Sequence, residues 1–377
     1  MLDIIFQQFG PLFPSGEDAA NNWWISLLWI LPIFFFMAYG QRIQMWMVMN
    51  DVGKSLNKLK EMREKSKNDT INYINSIYPS QEHVKNVEYL MEYFTIMPVD
   101  LDPNGIVRKI QHIIRVRDDK VKAEIRKLIP NADDITASKV ENILEAMSML
   151  NTIYKIVRHF YLLGKKTTSM FFVIQLQMVM PMLLEQAEAL QKAIDAFKQG
   201  QPIGDGIGPM IAGQFMLDKE KKVVAKETVV ANGPYNGRQV YFMKAQGPGG
   251  TVGDPGTAVE RLVSEMGIKP KFIIMIDAAL KLEGEETGEV AEGVGAAIGG
   301  IGVEKYQIEE VATKYGIPIH AIIIKQSVLD AITVMKREIA ESVEKVNNAI
   351  FRLINEKSKE GDTILVIGVG NTLGVAQ

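Results

Sequence analysis

Residues 269–335 read KPKFIIMIDAALKLEGEETGEVAEGVGAAIGGIGVEKYQIEEVATKYGIPIHAIIIKQSVLDAITVM. The run 272–276 is apolar and ends on Asp277. A second apolar run, 320–324, follows a polar segment of helical period and the turn Gly316-Ile317-Pro318. Two short β-branched runs joined by a polar helix predict a βαβ unit. In open parallel sheets ligands gather where the loops splay apart at the carboxyl ends of the strands. Asp277 stands at such an end.

Working outward, further strands are expected at 223–230, 238–245 and 363–367, and helices after Gly256 and over about 328–358. The alternation predicts a three-layer α/β domain with a mainly parallel sheet, of the phosphorylase/hydrolase-like kind, over 200–377. The boundary is the glycine-rich turn Gln201-Pro202-Ile203-Gly204-Asp205-Gly206-Ile207-Gly208-Pro209. Upstream, residues 42–199 carry helical periodicity broken by Pro98, Pro103 and Pro130, which predicts an α-helical stalk and middle domain.

The amino-terminal segment, 1–41, has a different character. Ala19 to Gln41 contains no charged residue, and Trp23, Trp24 and Tyr39 lie near its ends. A helix of that length rises about 34 Å, enough to cross a hydrocarbon core. Residues 1–18 lack Lys and Arg, unlike a signal peptide, whereas Arg42, Lys54, Lys58, Lys60 and Arg63 follow closely. The expectation is a single-pass cell-membrane protein with its amino terminus outside and its domains in the cytoplasm, held in the lipid bilayer. A second uncharged stretch, 167–184, contains Gln175, Gln177 and Pro181 and reads as a buried or membrane-grazing helix.

Composition narrows the chemistry. The 377 residues carry 42 Lys and Arg against 45 Asp and Glu, a net charge of −3 that offers no reason to expect nucleic acid. The chain has no cysteine, which removes thiolate nucleophiles and cysteine metal sites, and its four histidines show no metal-binding spacing. The loop 246–256, QGPGGTVGDPG, lacks the Gly-Lys-Ser/Thr ending of a phosphate-binding loop. The terminal Gly368-Val369-Gly370-Asn371-Thr372-Leu373-Gly374 is followed by no helix to receive a pyrophosphate.

Two carboxylates on glycine loops remain: Asp205 opens a helix and Asp277 ends a strand. Each has an ordinary reading as a cap of the next turn. If their elements are neighbours, the two share one proton, so that one serves as acid and the other activates a water.

Residues 243–335, with GPGGTVGDPGTAVERL, KPKFIIMIDAAL and the segment from GVGAAIGG to DAIT in that order, resemble the spore germination protease and, more distantly, the hydrogenase maturation proteases. The resemblance implies that the aspartate of the I-D-A motif, Asp277, is functional, and that Asp205 matches the aspartate of the family's D-x-x-G-P turn. The family's strand ending G-x-G-N stands here at the carboxyl terminus as VIGVGN, which implies a circular permutation, or exchange of this strand between subunits of a homo-oligomer. Where relatives carry a metal-binding histidine this chain has Glu292-Gly293-Val294-Gly295-Ala296, so no cofactor is expected; a metal held by Asp205, Asp277 and Glu292 is the minor alternative. The whole chain also resembles an uncharacterised archaeal membrane-protein family.

The expected activity is that of an aspartic-type endopeptidase acting on a protein or peptide substrate. Asp205 and Asp277 form the acid–base pair, and Gly204, Gly206, Gly249, Gly250, Glu292, Gly370 and Asn371 line the substrate cleft. The alternative is a non-enzymatic membrane adaptor or scaffold with an inactive peptidase-like domain.

Overall fold

The computed structural model describes residues 23–93, 105–300 and 302–376. It is mixed α/β, with a helical amino-terminal half and a carboxyl-terminal half built on a seven-stranded sheet. The helices of the first half are α1 Trp23–Ile77, α2 His83–Glu92, α3 Ile106–Leu128, α4 Asp134–Thr167 and α5 Met170–Gln199. Of the segment expected to span the membrane, 19–41, residues 19–22 lie outside the described residues. The helix that begins at Trp23 runs on without a break past Gln41.

The chain divides into two compact units. One comprises residues up to Lys58 together with 155–181. Its interior is Val52, Val157, Val173, Leu176 and Met180, all buried. Gly164 lets α4 and α5 close on each other, since a Cβ there would meet Val173 Cγ2 at 2.5 Å. Among the described residues α5 is the one helix long and apolar enough to cross a membrane by length and composition.

The other unit comprises 59–154 and 182–377. Its helical part is centred on Leu59, Ile74, Met147, Leu150 and Ile194, all buried. The sheet follows, with strands β1 Lys222–Ala225, β2 Thr228–Tyr235, β3 Arg238–Ala245, β4 Ile273–Leu280, β5 Val290–Val294, β6 Ile319–Gln326 and β7 Thr363–Gly368 in the order β1-β2-β3-β7-β4-β6-β5. The four central strands β3, β7, β4 and β6 run parallel; the edges are antiparallel. β2 and β3 are joined by Asn236-Gly237, both at positive φ, the two-residue hairpin turn whose twist matches that of the strands.

The central strands carry apolar runs, 273–276, 321–324 and 364–367, because helices cover both faces there. Ile274, Ile276, Ile322, Ile324, Ile364 and Val366 pack on one side with α6 Ile207–Met216 and α10 Arg337–Lys357. Ile273, Met275, Leu365 and Ile367 pack on the other with α7 Pro255–Glu260 and α8 Val303–Tyr315. The last strand lies beside the βαβ unit: β7 pairs in parallel with β4, with Ile273 opposite Leu365 and Ile276 opposite Gly368.

Three elements depart from the expectation. The single strand expected at 223–230 is two antiparallel strands, β1 and β2, reversed at Lys226-Glu227 with Glu227 at positive φ, and β2 runs on to Tyr235. The helix expected over 328–358 is interrupted. Ser327 and Asp330 close a capping box around the short α9 Val328–Ile332, the chain then extends, and α10 begins at Arg337. In the interruption Val334 bridges Ile203, and the N–H of Met335 donates to the Pro202 carbonyl at 2.8 Å, which ties down the turn carrying Asp205. The segment holding Glu292 is the edge strand β5, paired with β6, instead of a loop. Its glycines and exposed polar positions hide the strand pattern, which is imposed by pairing to the open edge of β6.

Candidate active site

Between β6 and β7 the chain doubles back across β4, so the carboxyl ends of the neighbours β4 and β7 face connections that lead apart. α6 sets its amino-terminal turn onto this point. Its preceding single 3₁₀ turn, Gly204–Gly206, packs against β4 and holds Asp205. Backbone meets backbone there. A Cβ on Gly208 would stand 2.3 Å from the Val369 carbonyl oxygen and 2.6 Å from that of Ile276. One on Gly370, at φ +132°, would stand 2.0 Å from the Asp205 carbonyl oxygen. Only glycine admits the two loops to this distance.

Asp205 is partly open to solvent, and its Oδ2 accepts the Asn371 N–H at 2.7 Å. Burial raises its carboxyl above the ordinary carboxylate range, and the Asn371 N–H opposes the rise. Asp277 lies on β4 one residue beyond its last pairing with β7 and is buried. It accepts N–H groups from Ala278, at 2.8 Å, and from Gly299 in the loop after β5. Burial pushes its carboxyl up to about 8, and the charge of Asp205 acts in the same direction. The two aspartates therefore interact electrostatically, and near neutrality Asp277 holds a proton. Two interacting carboxyls, one buried and one half-open to water, are the arrangement that separates an acid from a base.

The other residues expected at the cleft fall into three groups. Gly204, Gly206 and Gly370 are buried packing positions: a Cβ on Gly204 would collide with the Asp330 carbonyl, and one on Gly206 would lie 2.9 Å from the Asn371 carbonyl oxygen. They shape the loops and offer no surface to a ligand. Gly250 and Asn371 lie together, with Asn371 Nδ2 donating to the Gly250 carbonyl at 3.2 Å, while Gly249 lines a cavity of about 290 Å³ next to them. Glu292 is set apart, on the edge strand two strands from β4, about 10 Å away in the sheet, and it pairs with Arg352 of α10. Among the described residues no three acidic or histidine side chains come together as metal ligands, so Asp205, Asp277 and Glu292 are not a metal site. The resemblance placed Glu292 near the pair; the turn of the chain into β5 carries it away.

Three features had no signal in the sequence. Asn142 of α4 donates through Nδ2 to the Gly250 carbonyl at 2.8 Å and accepts from Asn371 Nδ2 at 3.0 Å, so the helical part of this unit supports the loop above Asp205. The cavity beside Gly249 is lined by Lys122, Arg126, Glu141, Glu227 and Thr251, among others, and neither aspartate borders it. In a second acidic pair, Asp254 and Glu304, burial and then the charge of Asp254 push the Glu304 carboxyl up to about 7. The pair's oxygens are already engaged: Asp254 caps Thr257 and pairs with Arg115 at 2.8 Å, and Glu304 accepts the Gly256 N–H. Helix periodicity cannot single out Asn142, and nothing adjacent in sequence marks the Asp254–Glu304 contact.

Fold and site define an α/β domain whose carboxyl edge holds buried Asp277 with half-buried Asp205, braced by a helical part through Asn142. The chain belongs to the DUF1512 family. Residues 203–376 match the domain of unknown function (DUF1512) C-terminal, and residues 26–200 match the protein of unknown function (DUF1512) N-terminal domain. No curated protein matches the chain.

Proposed function

We propose that this protein is a membrane-anchored hydrolase of the aspartic type, an endopeptidase whose catalytic domain faces the cytoplasm and whose acid–base pair is Asp205 and Asp277. The observation that carries the reading is the placement of buried Asp277, at the carboxyl end of β4, against the turn that holds Asp205. In the ionised–protonated state of the pair, the charged carboxylate takes a proton from a water as its oxygen bonds to the amide carbonyl carbon. The protonated partner donates to the carbonyl oxygen. The C–N bond then breaks as one carboxyl gives its proton to the leaving nitrogen and a hydroxyl of the tetrahedral intermediate returns a proton to the other carboxylate, which re-forms the C=O and leaves one proton shared between the two carboxyls. Orientation rests on the Asn371 and Gly299 N–H groups, which hold the two carboxyls from opposite loops. The anchor rests on the uncharged run 19–41 and the basic residues after it.

The test is peptide cleavage by the full chain in lipid nanodiscs. Asp277→Asn and Asp205→Asn should each lower turnover at least about 100-fold with circular dichroism unchanged. Full turnover in either variant overturns the assignment. One observation favours the second reading, a non-enzymatic membrane adaptor: the cavity beside Gly249 does not reach the aspartates. Wild-type chain that cleaves nothing in a random peptide library, yet retains a partner through surfaces of the helical domain, would decide for it.

A further inference from the structure

The unit formed by residues up to Lys58 and 155–181 exposes several large apolar side chains on its outside, among polar ones. Trp46 is 67% exposed, Met47 52%, Leu162 47% and Phe171 63%. Its interior is already filled, so these side chains are not a core awaiting closure. A helical unit surrounded by water would present polar residues there.

The position of these residues along the unit indicates what covers them. α1, α4 and α5 all leave the unit at one end, at residues 58, 155 and 181. The turn at Thr168 and Ser169 joining α4 to α5 is therefore at the opposite end, the end at which the uncharged run of α1 closes on Arg42. Gln177 Nε2 donates to Asp51 Oδ2 at 3.1 Å, which aligns α5 with α1. Met170 lies seven residues earlier on α5, or about 10 Å at 1.5 Å per residue, level with about residue 44 of α1. The exposed Lys165 and Lys166 stand at that same end. Lysines beside aromatic and aliphatic side chains, at the depth where an anchor leaves the hydrocarbon, match the headgroup layer of an anionic membrane surface. As a complete span, α5 would instead draw Gln175, Gln177 and the bonded Asp51 into hydrocarbon.

We propose that the α4–α5 turn rests on an anionic bilayer surface, with Trp46, Met47, Leu162 and Phe171 in the headgroup boundary and Lys165 and Lys166 on lipid phosphates. This second foothold rests on the anchor reading and is independent of any hydrolase activity. It would fix the orientation of the unit on the membrane where a single helix alone allows swivelling.

The chain has no cysteine, so single-cysteine variants of the full protein can be labelled cleanly with a fluorophore in nanodiscs of phosphatidylcholine and phosphatidylglycerol. In Phe171→Cys the label should be quenched by headgroup-level nitroxide lipids. In Met178→Cys quenching should be at least twofold weaker, and in Glu344→Cys the label should respond to aqueous iodide alone. Adding Lys165→Glu and Lys166→Glu to Phe171→Cys should halve the lipid quenching or more and remove its dependence on phosphatidylglycerol. Iodide access at 171 equal to that at 344 overturns the proposal. So does strongest quenching at 178 by deep nitroxides, which means a spanning α5, or shielding at 171 with self-quenching between copies, which means a second chain as the occupant. A label in Phe35→Cys separates the two readings: deep quenching at 35 with a wet 171 keeps the anchor and removes the foothold, and the converse removes the anchor and keeps the foothold.

Discussion

The backbone N–H of Asn371 donates to Oδ2 of Asp205 at 2.7 Å, so the last loop of the chain holds the first acidic group of the α/β domain. The contact exists because β7 lies beside β4 and brings its carboxyl-terminal loop over the amino-terminal turn of α6. The terminal strand is thus part of the candidate site.

Asp277 predicts a pH dependence of stability. Its folded-state value of about 8 lies above the ordinary 3.8, so the folded chain binds the proton more tightly than the unfolded chain. Its contribution is fully present below about pH 4 and is lost as pH rises toward 8. Asp277→Asn should flatten this slope and be more stable than wild type at pH 8 by roughly 2–5 kcal/mol. Urea midpoints across pH 4–8 read the difference, and parallel slopes for the two proteins would contradict it. Catalysis should fall in wild type above about pH 8 as the acid loses its proton.

Gly370→Ala should be among the more damaging single changes in the domain. The residue sits at φ +132°, and the added Cβ would meet the Asp205 carbonyl oxygen at 2.0 Å. Strain and displacement together are expected to cost about 3 kcal/mol or more. Gly361→Ala, also at positive φ but with open space around it, should cost only about 1 kcal/mol. Chemical denaturation of both variants tests the contrast.

Asn142 and Asn371 should couple. Removing either side chain breaks their mutual bond and one of the two bonds to the Gly250 carbonyl. Each single alanine variant is expected to lose about 1–2 kcal/mol, with the double variant losing less than the sum by about 1 kcal/mol. Additive losses would mean that the helical part does not brace the loop.

Lys244 is a buried amine on β3 beneath α6, with Nζ 3.1 Å from the Ala245 carbonyl oxygen. Burial, aided by Lys221, lowers its value to about 8 from 10.5. The folded chain therefore releases this proton more readily than the unfolded chain, and the cost of burial is full below pH 8 and fades toward pH 10.5. Lys244→Met should raise the neutral-pH melting temperature by a few degrees, about 1–2 kcal/mol. A lower melting temperature at pH 7 would show the amine to be needed.

Glu292 supplies the contrast to Asp277. It is exposed and pairs with Arg352 on the surface. Glu292→Gln should leave peptide cleavage unchanged and shift stability by less than about 1 kcal/mol. Loss of turnover in that variant would return it to the site.

The sequence alone determined the central parallel strands, because an apolar run shielded on both faces leaves an unbroken β-branched signature, as in 273–276 and 364–367. It also marked Asp205 and Asp277 as acids on glycine loops. Tertiary structure decided the rest. It placed β7 beside β4, bent 290–294 into an edge strand that takes Glu292 away, and broke the helix expected over 328–358 to pin the turn holding Asp205. It also brought Asn142 from the helical part to Gly250. These outcomes depend on pairing and contact between segments ninety residues or more apart or on edges completed by a neighbour, and local periodicity carries no record of which surfaces meet.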